Sequence, residues 1–323
     1  MFRHSQRQRA KRMSKHDPEF APSDLTELDV SGQGLSELDL SKYPKLEILY
    51  CGDNQLKQLD LSHTPNLYKL WCPRNLLTQI DLSFTRDLFV LGCEENQITK
   101  LDFSVTPRLQ YLLCNDNELR ELDLTSTPLL LNLSCGKNQL MDIHLPSTNE
   151  LESISCAQNF LTRLDISNKD QLRGLLCSVN KLRDLDLSDK PHLETLSCYE
   201  NLLSEIDLHN KPKLKTLLCG YNHIEHLDLS NKPALRSIFC HENKISELDL
   251  TNKPSLEELC CFKNRLTHLN LSDTPNLKEL SCSMNKLTSL DLSKTKKLED
   301  LDVSGNPLTA LDLSGTSIGK KMH

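Results

Sequence analysis

The chain has 323 residues, of which 37% are hydrophobic, 5% aromatic and only 10 glycine, and its formal net charge is −7. No apolar run is long enough to cross a bilayer, and the first 30 residues hold no apolar leader. Neither a membrane span nor a secretory signal peptide is therefore expected.

Residues 1–24 read as a basic arm without a fold of its own. Arg3, Arg7, Arg9, Lys11, Arg12 and Lys15 all precede the first acid, Asp17, which leaves about −13 on residues 17–323. Nucleic acid is not expected as a partner except through this arm, which lacks interleaved aromatics.

From residue 25 to 316 the sequence repeats. Cys51 is followed by a cysteine every 21 residues as far as Cys282, and Val30 and Val303 extend that column by one row at each end. The result is fourteen rows with no insertion or deletion, and Cys260 alone lies outside the column. Leu or Ile stands two places before the column in every row. Asn stands three places after it from Asn54 to Asn306, with Gln33 the one departure.

A row reads L-x-x-L-x-C-x-x-N-x-L-x-x-L-D-L-S-x-x-P-x. Apolar residues alternate through L-x-C, which predicts a strand on x-L-x-C-x. They alternate again through L-D-L, and the proline that follows in nine rows speaks against a helix there. The second half of each row should therefore return the chain as an extended or short-strand segment. Such a repeat buries its apolar face only against its neighbours, so one continuous stack is expected rather than two domains. At about 4.8 Å per coil it would be roughly 65 Å long. Residues 317–323 read as a short basic tail.

The segment Leu46-Glu47-Ile48-Leu49-Tyr50-Cys51-Gly52-Asp53-Asn54-Gln55-Leu56 and its copies resemble the leucine-rich-repeat signature. The nested 21-residue form resembles that of the internalins, specifically the internalin J-like proteins with a cysteine in each repeat. The resemblance covers about residues 25–313. It implies a fold of the α/β class that is mostly β and coil with little helix: a right-handed solenoid of about fourteen coils, with a parallel sheet on a concave face that contacts protein partners.

Three columns invite chemistry. A line of thiols at strand spacing lacks the convergence of a zinc site, and its alternation with inward Leu places it in the core as reduced, structural Cys. So many free thiols suit a reducing, cytoplasmic compartment, the cell's own or a host's. Cys260 should instead point outward. Twelve rows carry Asp in the middle of L-D-L, from Asp39 to Asp312, with His144 and Asn270 in the gaps. The column is read as accepting hydrogen bonds from the Ser or Thr two places on, against the alternative of a cation strip. Lys169, Lys190, Lys211, Lys232 and Lys253 occupy a position that is Thr in most other rows. They are read as a solvated loop edge.

No catalytic residue, cofactor, metal or small-molecule substrate is expected: no triad, phosphate loop or H-E-x-x-H is present. Outward positions of the strand are mostly small or acidic, so grouped large side chains stand out. One group is Ile48, Tyr50, Trp71, Val90, Tyr111 and Leu113; the other is Tyr199, Leu218, Tyr221, Phe239, His241 and Phe262. The expectation is a monomeric scaffold that binds a protein through this face, including the possibility of a translocated effector. A surface adhesin and an inhibitor or substrate-recognition subunit of an enzyme are the alternatives.

Overall fold

The computed structural model describes residues 22–319. Most of the basic arm and the last four residues lie outside that range. A short 3₁₀ turn at Pro22–Asp24 leads into the first strand, Glu27–Asp29, and the last strand is Asp300–Asp302. Between them the chain forms a parallel-strand solenoid: one fourteen-stranded sheet in sequence order, bounding thirteen full turns. Each strand pairs in register with the strand 21 residues away, as Leu49 pairs with Leu70 and Leu70 with Leu91.

The strands are shorter than the alternation predicts, three residues each, as in Ile48–Tyr50 and Lys69–Trp71. Their central Leu or Ile is buried in nearly every row, while the two flanking residues face outward. The return leg stays extended but, among the described residues, pairs as a second sheet at one place only, Glu121–Asp123 against Asp142–His144.

Each coil turns inward directly after its strand. The second residue after the Cys column has a positive φ in every row, from Gly32 at 67° through Asp53 at 55° and Tyr221 at 52° to Gly305 at 68°. A left-handed residue with a Cβ costs about 1 kcal/mol, and it persists only where its surroundings fix it. The Asn column supplies that fixing. Asn117 Nδ2 donates to the carbonyls of Cys93, Cys114 and Asn115, and its Oδ1 accepts the Ile98 N–H at 2.9 Å. The same set recurs coil after coil, so each Asn side chain joins its own coil to the one before through backbone groups that no strand satisfies.

The core is one continuous Leu, Ile and Cys column. All thirteen cysteines are unpaired; the twelve of the ladder are buried and Cys260 is half-buried. Burial pushes the ladder thiols well above their ordinary 9.0, to about 12 for Cys51, Cys156, Cys198, Cys240 and Cys282.

The Asp column caps its own turns. Asp60 Oδ1 accepts the Ser62 N–H at 2.9 Å, Asp249 accepts both the N–H and the hydroxyl of Thr251, and Asn270 makes the same bond to Ser272. Hydrogen bonds from Ser62 and Thr251 hold the Asp60 and Asp249 carboxyls below the usual carboxylate range.

The lysine column corrects the sequence reading. Its five side chains are not a solvated edge but are only 1–3% exposed. Each ammonium donates to the carbonyl two residues back, Lys211 to His209 and Lys232 to Ser230. The residue before each Lys, Asn168, Asp189, Asn210, Asn231 or Asn252, sits in the left-handed region. In the Thr rows the buried hydroxyl bonds the carbonyl three residues back, as Thr64 does to Leu61. A long stem folded over its own turn covers apolar surface and places the charge on a carbonyl, which is why a residue type that is usually exposed lies inside here.

Candidate functional site

With the core columns pointing in, the positions left to meet a partner are the two flanking residues of each strand and the two residues after the Cys column. Most are small. The aromatic and most of the large aliphatic side chains form two separate patches.

In the first patch, Ile48, Lys69, Val90 and Tyr111 are neighbours across four strands, and so are Tyr50, Trp71, Gly92 and Leu113. All of the proposed partner-binding residues here, Tyr50, Trp71, Val90, Tyr111 and Leu113, are half-buried and face outward. Trp71 lies flat over Gly92, where an added Cβ would come within 2.4 Å of its ring. Lys69 Nζ donates to the Tyr50 hydroxyl at 2.9 Å and stands 4.9 Å from the centre of its ring. Phe89 extends the patch over the edge of the sheet, its ring 5.5 Å from that of Tyr111, and beside it is a shallow depression that includes Tyr68 and Arg108. Sequence reasoning missed Tyr68 and Phe89 because they precede the strand, outside its alternation. It also missed Gly92, whose signal was a glycine in register with the only Trp.

The second patch has Leu218, Phe239 and Cys260 side by side on adjacent strands. Tyr199, Tyr221, His241 and Phe262 form a ring cluster on the turns beyond, with Tyr199 and Tyr221 edge-on at 5.1 Å. Tyr221 is the most exposed of them, at 42%. His241 departs from the expectation that it faces a partner: it is only 9% exposed, stacked on Phe262 at 4.5 Å and edge-on to Tyr221. It packs close over Gly220, and its Nδ1 is 3.3 Å from Cys260 Sγ. Burial lowers its pKa, so the imidazole is neutral at neutral pH and serves as a packing platform for the rings around it. Burial also raises the Cys260 thiol, by less than it raises the ladder thiols.

The patches do not meet. Four strands between them, Asn132–Ser134, Ser153–Ser155, Gly174–Leu176 and Thr195–Ser197, carry small outward residues apart from Leu176. Four row spacings separate the row of Leu113 from that of Tyr199, about 19 Å.

Surface charges align in columns of alternating sign. Arg74 bridges Asp53 in the coil before and Glu95 in the coil after, and Glu194 lies between Arg173 and Lys215. Glu94 is a different case: burial raises its carboxyl, and among the described residues its Oε2 is buried without a hydrogen-bond partner. Among the described residues no cluster of His, Cys, Asp and Glu could hold a metal ion, and no helix is long and apolar enough to cross a membrane.

The 21-residue coil, the parallel sheet and the Asn and Cys columns define the class: the chain has the leucine-rich-repeat fold, and residues 275–315 match the family model described as leucine-rich repeats in two copies. It is similar to the functional domain of InlJ from Listeria monocytogenes, a structure described as including a cysteine ladder. That match has 32% identity and a TM-score of 0.87, and it covers 91% of this chain and 66% of that one, just short of two thirds. It is also similar to YopM from Yersinia pestis, described as a leucine-rich effector protein, at 29% identity and a TM-score of 0.72 over 88% of this chain and 84% of that one. The Leptospira interrogans protein LIC12759 shares the fold at 22% identity and a TM-score of 0.69, over 89% and 92%. No curated protein sequence matches the chain.

Proposed function

We propose that the chain is a monomeric scaffold that binds another protein through the outward face of its sheet, with the two aromatic patches as anchors. The observation that carries this is the grouping of large side chains on a face otherwise lined by small ones. Grouped Trp and Tyr bury much area at low entropic cost and dominate measured hot spots. The likeness to InlJ and to YopM supports a binding role, and YopM, described as an effector protein, favours the effector reading over the adhesin one. Twelve buried reduced thiols fit a reducing compartment, the cell's own cytoplasm or a host's.

The test takes a partner captured from lysate and measures its affinity directly. Trp71→Ala or Tyr111→Ala is expected to weaken binding about 30-fold, near 2 kcal/mol, with the fold intact. Gly92→Ala should act in the same direction by lifting the Trp71 ring off the sheet without removing it. If all three leave affinity unchanged, the partner binds another face.

A further inference from the structure

The sheet face changes character along its length. From Ile48 to Phe239 the outward strand residues include no acid and one base, Lys69, which is engaged by Tyr50. Then come Glu258, Glu279 and Asp300, directly opposite one another on three adjacent strands, with Asp302 two residues beyond Asp300. Glu279, Asp300 and Asp302 are exposed and Glu258 is half-buried.

Like charges facing one another across strands destabilise a sheet. Elsewhere on this surface the repulsion is relieved by bases one coil away, but none of these four carboxylates is ion-paired among the described residues. Lys278, beside Glu279 in sequence, is ion-paired with Glu257 and interacts only electrostatically with Glu258. Glu258 accepts only the Ser237 hydroxyl, and Asp302 accepts hydrogen bonds from Ser304. Among the described residues Glu279 and Asp300 have neither an ion pair nor a side-chain hydrogen bond of this kind. Immediately beside the acids stand Leu218, Phe239 and Phe262 of the second patch.

Resting on the reading above, we propose that this end of the face binds a basic polypeptide segment of the protein partner. Its lysines or arginines lie over Glu258, Glu279 and Asp300, and its apolar side chains over Leu218 and Phe239. Charge complementarity selects this occupant, and the adjoining apolar strip distinguishes a polypeptide from a simple cation.

The test uses the full chain and a labelled synthetic peptide alternating lysine and leucine, followed by fluorescence anisotropy at moderate salt. The triple variant Glu258→Gln, Glu279→Gln, Asp300→Asn is expected to bind it at least about tenfold more weakly. The control variant Asp207→Asn, Asp228→Asn, Asp249→Asn removes the same charge from the far side. Asn270 already serves in that column, so the control should fold, and it should change affinity less than about threefold. A lysine–serine peptide should bind more weakly than lysine–leucine. Equal losses in both triple variants would reduce the effect to net charge and overturn the proposal. So would saturable binding of calcium alone that the first triple variant abolishes. If that variant is neutral while Phe239→Ala abolishes binding, the acidic assignment falls and the binding face stands; if neither matters, both fall.

Discussion

The two turns of each coil solve the same problem under different rules. At the turn after the strand, every complete row uses the same pair, an inward Cys or Val and an Asn bonded across coils. At the turn after the return leg there are two solutions: a Thr hydroxyl reaching back three residues, or a Lys ammonium reaching back two over a left-handed Asn or Asp. The lysine solution fills one unbroken block of five coils, Lys169 to Lys253. The Asp column is interrupted at the coil just before that block, by His144, and at the coil just after it, by Asn270. The coil with His144 is irregular: it carries the second sheet, and its Thr148 bonds Pro128 instead of the carbonyl three back. The first turn is uniform because one Asn side chain must fit two coils at once. The second is free to vary because its bonds stay within a single coil.

The largest test of this contrast is alkaline pH. A thiol whose folded pKa is raised contributes stability that is complete below its unfolded value of 9.0 and is lost as pH climbs through the folded value, about 12 where it is resolved. Each buried thiol loses about 1.4 kcal/mol per pH unit in that window, so a dozen lose more than about 10 kcal/mol in the first unit. That is comparable with the whole stability of a domain. The buried lysines act in the opposite sense, since burial lowers their pKa and their penalty is relieved as pH rises toward 10.5. They are fewer and lie nearer solvent, so the thiols win. Circular dichroism should show cooperative unfolding between about pH 9 and 10.5, and Cys→Val in alternate rows should move it upward. A midpoint unmoved by those substitutions would mean the ladder does not set alkaline stability.

Next in size is Asn159→Ala. It leaves the carbonyls of Cys135 and Cys156 and the Leu140 N–H without their side-chain partner. At about 1–3 kcal/mol for each unmatched group, urea unfolding should show a loss of about 3–5 kcal/mol. A loss below about 1 kcal/mol would show that the backbone alone holds the inward turn.

The smallest effect belongs to the second turn. Lys211→Met keeps the stem but removes the donor to His209 O, and relief of the buried charge offsets part of that loss, leaving about 1 kcal/mol. Converting the pair together, Asn210→Ser with Lys211→Thr, imposes the other native solution and should come out nearer to neutral than Lys211→Met. If the pair is the worse of the two, the Lys and Thr turns are not interchangeable.

The columns that were legible in the sequence are those where one residue type has one job. Leu and Cys alternate as a strand does, and Asn three places on marks the inward turn, so coil, register and core side followed from spacing. The lysines were misread because residue type was weighed over position: they share a column with buried Thr, and the Asn or Asp before each of them signalled a different turn. The outward patches were legible as groups, but the burial of His241 was not. It depends on Gly220 beneath it and on rings from three coils, a relation between neighbours that no single row contains.

The alternating charge columns have a consequence for how such an array can change length. Inside, every coil offers the next one the same Leu, Cys and Asn, so a whole coil could be duplicated or lost and the stack would close without a seam. Outside, the neighbours are not equivalent. Losing the coil that carries Arg74 would set Asp53 against Glu95, and losing the one that carries Glu194 would set Arg173 against Lys215. The interior is written in one repeated word, while the surface keeps the order of the sentence.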